Sequence, residues 1–276
     1  MISAKKFKSL LFVPASRLDM AERAHERGAD AIIIDLEDGV AAKDRPAARS
    51  TLSSLLEALH SKGVQVLVRI NALDDGGALD IAAIPQTLAP SLLLPKVSNP
   101  EQIVAAEQCW VSCGKELSTL QLLPMIECPK GMFRAEQIAS ATDRVSAMVF
   151  GGEDFAAEAG ISTDIDALAM PAQLVALAGA AAGIPAYGLP GSLGNYHDLE
   201  LFEETLRRAK TIGFSGSLCV HPKQVLLANE VFQPSKQELE WAEAVVAQSG
   251  AGGATGGAVG MVDAPVLARA KAILAR

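Results

Sequence analysis

The stretch Gly28-Ala-Asp-Ala-Ile-Ile-Ile-Asp-Leu-Glu-Asp38 decides the fold class. Its centre, residues 31–36, is a short and almost wholly apolar run, and three acidic side chains lie at or just beyond its end. An apolar run without alternation is typical of a strand that is buried on both faces, as in a parallel sheet covered by helices. The sequence therefore predicts an α/β protein with polar chemistry at the end of a buried strand.

The same kind of run recurs along the chain, and helical patterns separate the runs. Eight strands are predicted, over residues 10–14, 31–36, 64–70, 92–95, 120–126, 145–150, 184–188 and 218–221. Helices are predicted over residues 19–27, 47–62, 100–114, 131–140, 171–183 and 198–213, with helix stops at Gly28, Gly63, Gly114, Gly183 and Gly213 and helix starts near Pro100 and Pro171. Eight strand–helix units favour a (β/α)8 TIM barrel. An open doubly wound sheet is the alternative, which the lack of a GxGxxG motif after the first strand disfavours.

Composition narrows the class of ligand and the cellular context. The chain has 276 residues and a net charge of −8, with 50% hydrophobic and only 4% aromatic residues. An acidic chain of this kind is a poor match for nucleic acid, whose phosphates need a basic face. The apolar run near the amino terminus, residues 10–15, is too short for a signal sequence or a membrane span, so we expect a cytoplasmic protein.

The C-terminal region follows a different pattern. We predict a barrel domain over residues 1–235 and a separate segment over residues 236–276. That segment consists of a helix over residues 236–248, a Gly-rich hinge over residues 249–260 and a short amphipathic helix over residues 266–274. Such a segment is either a disordered end or a lid that closes over a site.

Polar residues that follow the predicted strands are the candidate site, because barrel enzymes place their chemistry at the carboxyl ends of the strands. For any one of them, a solvated strand end or a structural salt bridge is an equally good interpretation. The number of such residues at one end of the predicted barrel, its mouth, favours a functional site. They are Arg17, Asp35, Glu37, Asp38, Arg69, Asn71, Lys96, Glu127, Glu153, Asp154 and His221.

Two of these carboxylates, Glu127 and Asp154, follow adjacent strands. Such a pair suits Mg²⁺, which takes one or two protein carboxylates and completes its coordination with water and substrate oxygens. A glycosidase-like acid pair is the competing interpretation, and the scarcity of aromatic residues to stack against sugars disfavours it. Gly151 and Gly152 precede Asp154 and let the backbone approach a ligand closely, or they mark a simple turn.

Two basic side chains at the same mouth suggest different roles. The guanidinium of Arg69 matches a substrate carboxylate, although it could instead pair with Asp35 or Glu37. Lys96 ends a predicted strand, where a lysine can form a Schiff base with a carbonyl substrate and needs no metal. The residues alone leave both alternatives open.

The sequence resembles the citrate lyase β-subunit-like branch of the HpcH/HpaI aldolase superfamily, which includes malyl-CoA and citramalyl-CoA lyases. The resemblance covers nearly the whole chain. Its motifs are Leu11-Phe-Val-Pro-Ala-Ser-Arg17, residues 28–38 as quoted above, Val68-Arg-Ile-Asn71, Leu94-Pro-Lys-Val97, Met125-Ile-Glu127, Gly151-Gly-Glu-Asp154, Gly213-Phe-Ser-Gly216 and Val220-His-Pro-Lys-Gln224. It implies a (β/α)8 barrel, assembled as trimers or hexamers, that makes or breaks carbon–carbon bonds of acyl thioesters with Mg²⁺.

The resemblance also implies roles for individual residues. Glu127 and Asp154 would hold Mg²⁺, and Arg69 would hold the substrate carboxylate. Substrate binding would further involve Arg17, Glu37 and Gly152 at the mouth, whereas Lys96 would be a positioning or structural residue and not a Schiff-base lysine. The tail Met261-Val-Asp-Ala-Pro265 looks like the segment that closes over a neighbouring subunit and brings a catalytic aspartate, here Asp263. This tail favours a free CoA-thioester lyase over a citrate lyase β subunit, which needs partner chains and an acyl carrier.

Two stretches depart from the family pattern near the mouth. Cys128-Pro129-Lys130 stands where relatives commonly have threonine and small residues. The loop over residues 189–198 lacks the tyrosine-to-aspartate sequence pattern expected for it. They leave the accepted keto acid open among pyruvate, glyoxylate and oxaloacetate. Three rival functions remain: the citrate lyase β subunit, a Schiff-base aldolase through Lys96, and a non-catalytic barrel.

Overall fold

The computed structural model describes residues 6–88, 90–249, 256–257 and 260–275. By its internal contacts the chain divides into two compact units, Met1–Glu230 and Val231–Arg276. No helix among the described residues has the length and apolar character needed to cross a membrane.

The first unit contains eight parallel strands within the described residues. They are β1 (Ser9–Pro14), β2 (Ala31–Asp35), β3 (Val66–Arg69), β4 (Ser91–Leu94), β5 (Leu122–Ile126), β6 (Met148–Phe150), β7 (Ala186–Tyr187) and β8 (Ser217–Cys219). Neighbours in the sheet follow the order β7-β6-β5-β4-β3-β2-β1-β8. The two ends of this order meet, because Ser215 N donates to Ala186 O at 2.8 Å and Gly188 N donates to Gly216 O at 3.2 Å. The prediction of a (β/α)8 TIM barrel is confirmed.

Helices connect these strands. They are α1 (Leu18–Ala21), α2 (Arg45–Ser61), α3 (Gly77–Ala83), α4 (Glu101–Ser112), α5 (Pro129–Met132), α6 (Ala135–Ala139), α7 (Gly152–Ala159), α8 (Ile165–Ala181), α9 (Leu199–Ile212) and α10 (Pro222–Phe232). Short 3₁₀ turns occur at Ala24–Arg27, Ala42–Asp44, Leu73–Asp75 and Leu117–Thr119. The five glycines predicted as helix stops all have positive φ, from 71° at Gly63 to 113° at Gly213, so these predictions are confirmed.

Helix starts were harder to predict than helix stops. Pro171 was expected near a helix start, and this is wrong, because Pro171 lies inside α8. That helix begins two turns earlier, where the side chain of Asp164 accepts a hydrogen bond from Ala167 N and caps it. The single helices expected over residues 19–27 and 131–140 are each broken into two short pieces, and helices α3, α7 and α10 had not been predicted.

The alternation of side chains along the strands determines which residues at the strand ends face the interior of the barrel. A buried cluster shared by the strands takes Ala31 and Ile33 from β2, Leu67 from β3, and Leu123 and Met125 from β5. Successive side chains of a strand point to opposite faces, so the next residues of the same parity continue this inner face at the mouth. Those residues are Asp35, Arg69 and Glu127.

The second unit is a small helical assembly. It comprises α11 (Lys236–Ser249), β9 (Gly256–Gly257), β10 (Gly260–Met261) and α12 (Ala264–Leu274), with β9 and β10 antiparallel. Ala242 and Val245 of α11 pack with Val262 and with Ala270 of α12. Most of the predicted Gly-rich hinge lies outside the described residues.

Candidate active site

Asp35 organises the edge of the mouth at the ends of β2 and β3. Its two carboxylate oxygens accept hydrogen bonds from Nε and Nη2 of Arg69, each at 2.7 Å. They also accept from the backbone N–H groups of Glu37 at 3.0 Å and Gly39 at 2.8 Å. Gly39 is needed here, because a Cβ at this position would lie 2.5 Å from Asp35 Oδ2. Every strong acceptor direction of Asp35 is therefore occupied by the protein itself.

The remaining edge of Arg69 meets two further carboxylates. Nη1 lies 2.9 Å from Glu37 Oε2 and 3.2 Å from Asp38 Oδ2. The face of the guanidinium stacks on Phe12, 4.8 Å from the ring centre. Arg69 thus lies at the predicted mouth, and it makes the pairings with Asp35 and Glu37 that were the alternative interpretation of its sequence position.

Lys96 joins this cluster through its side chain. Its Nζ lies 2.7 Å from Glu37 Oε1, and about half of the side chain is exposed. The hydrogen bond to Glu37 raises the pKa of Lys96. Burial raises the pKa of Glu37, while Arg69 and Lys96 act in the opposite direction. Lys96 is an ammonium group held by a carboxylate, whereas a Schiff-base lysine needs a lowered pKa.

Glu127 follows β5 and is almost completely buried, with 2% of its surface exposed. Its Oε2 accepts a hydrogen bond from Lys96 N at 2.6 Å. Its Oε1 is buried and has no hydrogen-bond partner among the described residues. Burial, with smaller contributions from the charges of Glu37 and Asp154, raises the pKa of Glu127 to about 8. A buried carboxylate oxygen without a donor is costly, and a bound cation would remove that cost.

The connection between β6 and α7 packs against the side chain of Glu127. A Cβ on Gly151 would lie 2.6 Å from Glu127 Cγ and 2.8 Å from Glu127 Oε1, so only glycine leaves room for this carboxylate. Asp154 lies in the first turn of α7, is exposed, and is close enough for its charge to act on Glu127. Among the described residues, no group of three or more His, Cys, Asp or Glu side chains is arranged to hold a metal. Two carboxylates are the number that Mg²⁺ commonly takes from a protein.

The other predicted residues occupy different surroundings. Gly152 begins α7 and packs tightly, since a Cβ there would lie 3.2 Å from Gly191 O. Arg17 is exposed, and its Nε and Nη2 both donate to Asp19 at 3.1 Å. Asp263 belongs to the second unit, where its Oδ1 accepts from Val266 N at 3.0 Å and caps α12.

The two departures from the family pattern take simple local structures. The Sγ of Cys128 accepts a hydrogen bond from Gly131 N at 3.2 Å and caps α5 in place of a hydroxyl. In the loop after β7, the hydroxyl of Ser192 donates to Glu153, and the ring of Tyr196 stacks on His221 at 5.1 Å. These contacts were not predicted from the sequence. The available signal was the position of these residues after the consecutive strands β6, β7 and β8.

A cleft of about 470 Å³ opens between the loop after α7 and the loop after β7. Of its lining residues, Asp164, Asp166 and Glu204 are acidic. None of the predicted catalytic or metal-binding side chains lines this cleft. We therefore locate the candidate site at the strand ends and not in the cleft.

A parallel barrel with ionisable side chains gathered at the carboxyl ends of its strands defines an enzyme of the TIM-barrel class. Over residues 8–222 the chain matches the HpcH/HpaI aldolase/citrate lyase family, and it belongs to this family. The predicted membership is confirmed, and so is the prediction of a lyase.

Several characterised proteins are similar to this chain over nearly its whole length. A (3S)-malyl-CoA thioesterase of Cereibacter sphaeroides is 33% identical over 99% of this chain and 93% of its own. The citrate lyase subunit beta of Escherichia coli is 30% identical, covering 98% of this chain and 92% of its own. The human mitochondrial citramalyl-CoA lyase is 29% identical over 96% of this chain and 83% of its own.

A solved structure shares the fold at similar identity. The CitE protein of Mycobacterium tuberculosis, in complex with magnesium, acetoacetate and coenzyme A, superposes with a TM-score of 0.77. It is 30% identical, and the match covers all of this chain and 98% of that one. Magnesium is thus bound by a structural relative of this chain.

Proposed function

We propose that this protein is a Mg²⁺-dependent carbon–carbon lyase of 3-hydroxy-3-carboxyacyl-CoA thioesters. The favoured substrate is (3S)-citramalyl-CoA, which would give acetyl-CoA and pyruvate. Malyl-CoA, which would give acetyl-CoA and glyoxylate, is the second. The observation that carries the proposal is the buried Oε1 of Glu127, which has no partner among the described residues and which faces the glycine-lined β6–α7 turn.

Glu127 and Asp154 fit a divalent cation. Glu127 offers one oxygen that has no hydrogen-bond partner among the described residues, and the neighbouring ion-pair cluster in the same part of the chain has three carboxylates for two cations. Mg²⁺ held there would lower the pKa of the substrate hydroxyl. The magnesium in the CitE complex supports this assignment.

The remaining residues bind and orient the substrate. Arg69 presents Nη1 toward the mouth and would receive the substrate carboxylate, in exchange for part of its contact with Asp38. Glu37 supports the same nitrogen from beneath. Arg17, exposed after β1, is a candidate for the outer part of the ligand. Gly152 is assigned to substrate binding by the family resemblance, and the protein itself fills the space where a Cβ of Gly152 would lie.

Bond cleavage requires the proton of the substrate hydroxyl to pass to water at the mouth and another proton to reach the carbon next to the thioester carbonyl. As the C–C bond breaks, the keto acid departs and the electron pair remains on the carbon next to the thioester carbonyl. We assign to Asp263 the delivery of a proton to that carbon, which completes acetyl-CoA. In this proposal residues 1–235 form the barrel domain, and residues 236–276 form a lid that brings Asp263 to a neighbouring subunit.

Assembly into a homotrimer or hexamer belongs to the same proposal. Met170, Leu174 and Leu177 are exposed at one-turn spacing along α8, and residues 167–182 carry no charge. An apolar stripe of this kind on a barrel surface is typical of a subunit interface. A mass measurement in solution tests it, and a monomer at micromolar concentration would refute it.

The choice between lyase and its rivals needs one experiment with several substrates. The purified chain is offered malyl-CoA, citramalyl-CoA and citryl-CoA with Mg²⁺ or with EDTA, and the keto acid and the free thiol are both measured. We expect pyruvate from citramalyl-CoA with Mg²⁺ only. Free thiol without keto acid would indicate thioester hydrolysis, as the malyl-CoA thioesterase relative suggests.

Two further outcomes separate the remaining alternatives. A chain that is inactive on all three CoA esters would favour a citrate lyase β subunit or a non-catalytic barrel. Activity in EDTA, together with borohydride trapping of pyruvate on Lys96, would establish the Schiff-base aldolase. The ion pair between Lys96 and Glu37 argues against the last outcome.

A further inference from the structure

Lys96 has an unusual backbone. Among the described residues it is the one non-glycine residue with positive φ, at 54°. The left-handed region costs a residue with a side chain about 1 kcal/mol or more, and such strain persists where the surrounding structure holds it in place. A glycine would take this conformation without that cost, so the lysine side chain must offer something that glycine lacks.

The left-handed turn lets two consecutive N–H groups face β5. Lys96 N donates to Glu127 Oε2 at 2.6 Å, and Val97 N donates to Met125 O at 3.1 Å. In an extended strand, successive N–H groups point to opposite neighbours. The turn at Lys96 therefore secures one oxygen of Glu127, while the other, Oε1, has no hydrogen-bond partner in the part of the chain that the structure describes.

The same turn redirects the side chain. Leu93 of β4 faces the buried cluster shared by the strands, so an extended backbone would point Lys96, three residues later, to the outside of the barrel. Instead, its Nζ reaches Glu37 Oε1 at 2.7 Å, and the other oxygen of Glu37 lies 2.9 Å from Arg69 Nη1. Lys96 is connected in this way to both halves of the mouth.

We infer that Lys96 is a positioning residue with two separate tasks: its backbone N–H orients Glu127 toward the cation, and its ammonium group orients Arg69, through Glu37, toward the carboxylate of the keto acid. This inference rests on the proposed function. It assigns to Lys96 no covalent chemistry and no contact with the substrate.

The two tasks can be separated by substitution. Lys96→Gly and Lys96→Met both remove the ammonium group and keep the backbone N–H. Lys96→Ile is matched to Lys96→Met in apolar character, but a β-branched residue tolerates positive φ poorly. Lys96→Arg restores a cation opposite Glu37.

Calorimetric titration gives readouts that do not depend on turnover. The titrants are Mg²⁺ alone and then pyruvate in saturating Mg²⁺. We expect Lys96→Gly and Lys96→Met to bind Mg²⁺ within about threefold of the wild type but pyruvate at least about tenfold more weakly, and Lys96→Arg to recover pyruvate binding to within about fivefold. Lys96→Ile should in addition lose about tenfold in Mg²⁺ affinity relative to Lys96→Met.

Wild-type pyruvate affinity in Lys96→Met would overturn the side-chain task, and equal Mg²⁺ affinity in the Ile and Met variants would overturn the backbone task. Should Lys96→Ile fail to fold, the Gly, Met and Arg variants still test the side-chain task, and Lys96→Gly still tests whether Mg²⁺ binding survives with the backbone N–H alone. A wild-type chain that binds neither Mg²⁺ nor pyruvate would overturn the proposed function itself, and so the two failures are distinguishable.

Discussion

The two edges of the barrel mouth treat the same residue type differently. At the ends of β2 and β3, the carboxylates of Asp35, Glu37 and Asp38 are met by Arg69 and Lys96 at distances of 2.7 to 3.2 Å. At the end of β5, Glu127 receives one backbone N–H and keeps a buried oxygen without a partner among the described residues. At the first edge each carboxylate has one of the protein's own cations within 3.2 Å. The second edge has a place for a cation from solution, and this contrast separates residues that hold the site from residues that await a ligand.

The largest effect should follow from neutralising the second edge. Glu127→Gln keeps the shape of the side chain and removes its charge. We expect a loss of several kcal/mol of metal and transition-state stabilisation, or about 1,000-fold in kcat/KM, because the oxygen that would bind Mg²⁺ becomes an amide group. Initial rates and calorimetric Mg²⁺ titration measure both effects.

Glu153→Gln is the matched control for this substitution. Glu153 is a neighbouring glutamate at the start of α7, and it accepts a hydrogen bond from Ser192. We expect less than about a threefold change in Mg²⁺ affinity, as for an exposed charge that is partly screened by solvent. If Glu127→Gln bound Mg²⁺ as the wild type does, the free oxygen of Glu127 would not be the cation site.

Removing Arg69 from the first edge should instead lower the free energy of unfolding of the barrel. Arg69→Met leaves Asp35 and Glu37 buried beside a side chain without charge. Breaking a buried ion pair in this way costs about 3–5 kcal/mol in the free energy of unfolding, because an uncompensated charge remains in the interior. Urea denaturation followed by circular dichroism measures the loss.

The control is an ion pair of similar length in which the carboxylate is exposed, although only 18% of the Arg45 side chain is. Arg45 Nη1 lies 2.9 Å from Asp75 Oδ2, and 70% of the Asp75 side chain is exposed. Arg45→Met should cost about 1 kcal/mol or less, because water screens this pair. Equal losses for Arg69→Met and Arg45→Met would mean that the β2–β3 edge is not held by its ion pairs.

Asp263 adds a third kind of carboxylate, which is exposed and bonded only locally in the second unit. Its Oδ1 caps α12, and asparagine caps helices as well as aspartate does. Asp263→Asn should therefore keep the melting temperature and lose about 100-fold in kcat if this residue supplies the proton. Asp263→Ala should lose the same activity and, in addition, about 1 kcal/mol of stability. Wild-type turnover by Asp263→Asn would leave capping as the role of this residue.

Most of the barrel could be predicted from the sequence because its signals are local. Runs such as residues 31–36 are apolar enough to predict a strand buried on both faces, here between the barrel interior and the surrounding helices, and glycines such as Gly63 end helices through their positive φ. The helix start predicted from Pro171 was wrong because proline is merely more frequent at helix starts, whereas the side chain of Asp164 makes a capping hydrogen bond.

The internal geometry of the site was less accessible from sequence. Strand order and parity place Arg69 and Glu127 at one mouth, and both were predicted there. The partners of each side chain depend on distances between different strands, which no local pattern contains. The left-handed turn at Lys96 is the clearest example, since a lysine gives no sign of positive φ.

A pH-dependent effect, modest within any one pH unit, is expected at the second edge without metal. Burial raises the pKa of Glu127 to about 8 in the folded chain, well above its value in an unfolded chain. Between these two values the folded state holds a proton that the unfolded state has lost, so the free energy of unfolding falls as pH rises, by at most about 1.4 kcal/mol per pH unit. The fall should level off above pH 8, where Glu127 is ionised in both states.

Urea denaturation at several pH values in EDTA, compared with Glu127→Gln in the same buffers, isolates this contribution. A difference between the two proteins that does not change with pH would mean that Glu127 is already ionised in the folded chain, in which case the β5 edge is satisfied without a cation and the contrast between the two edges disappears.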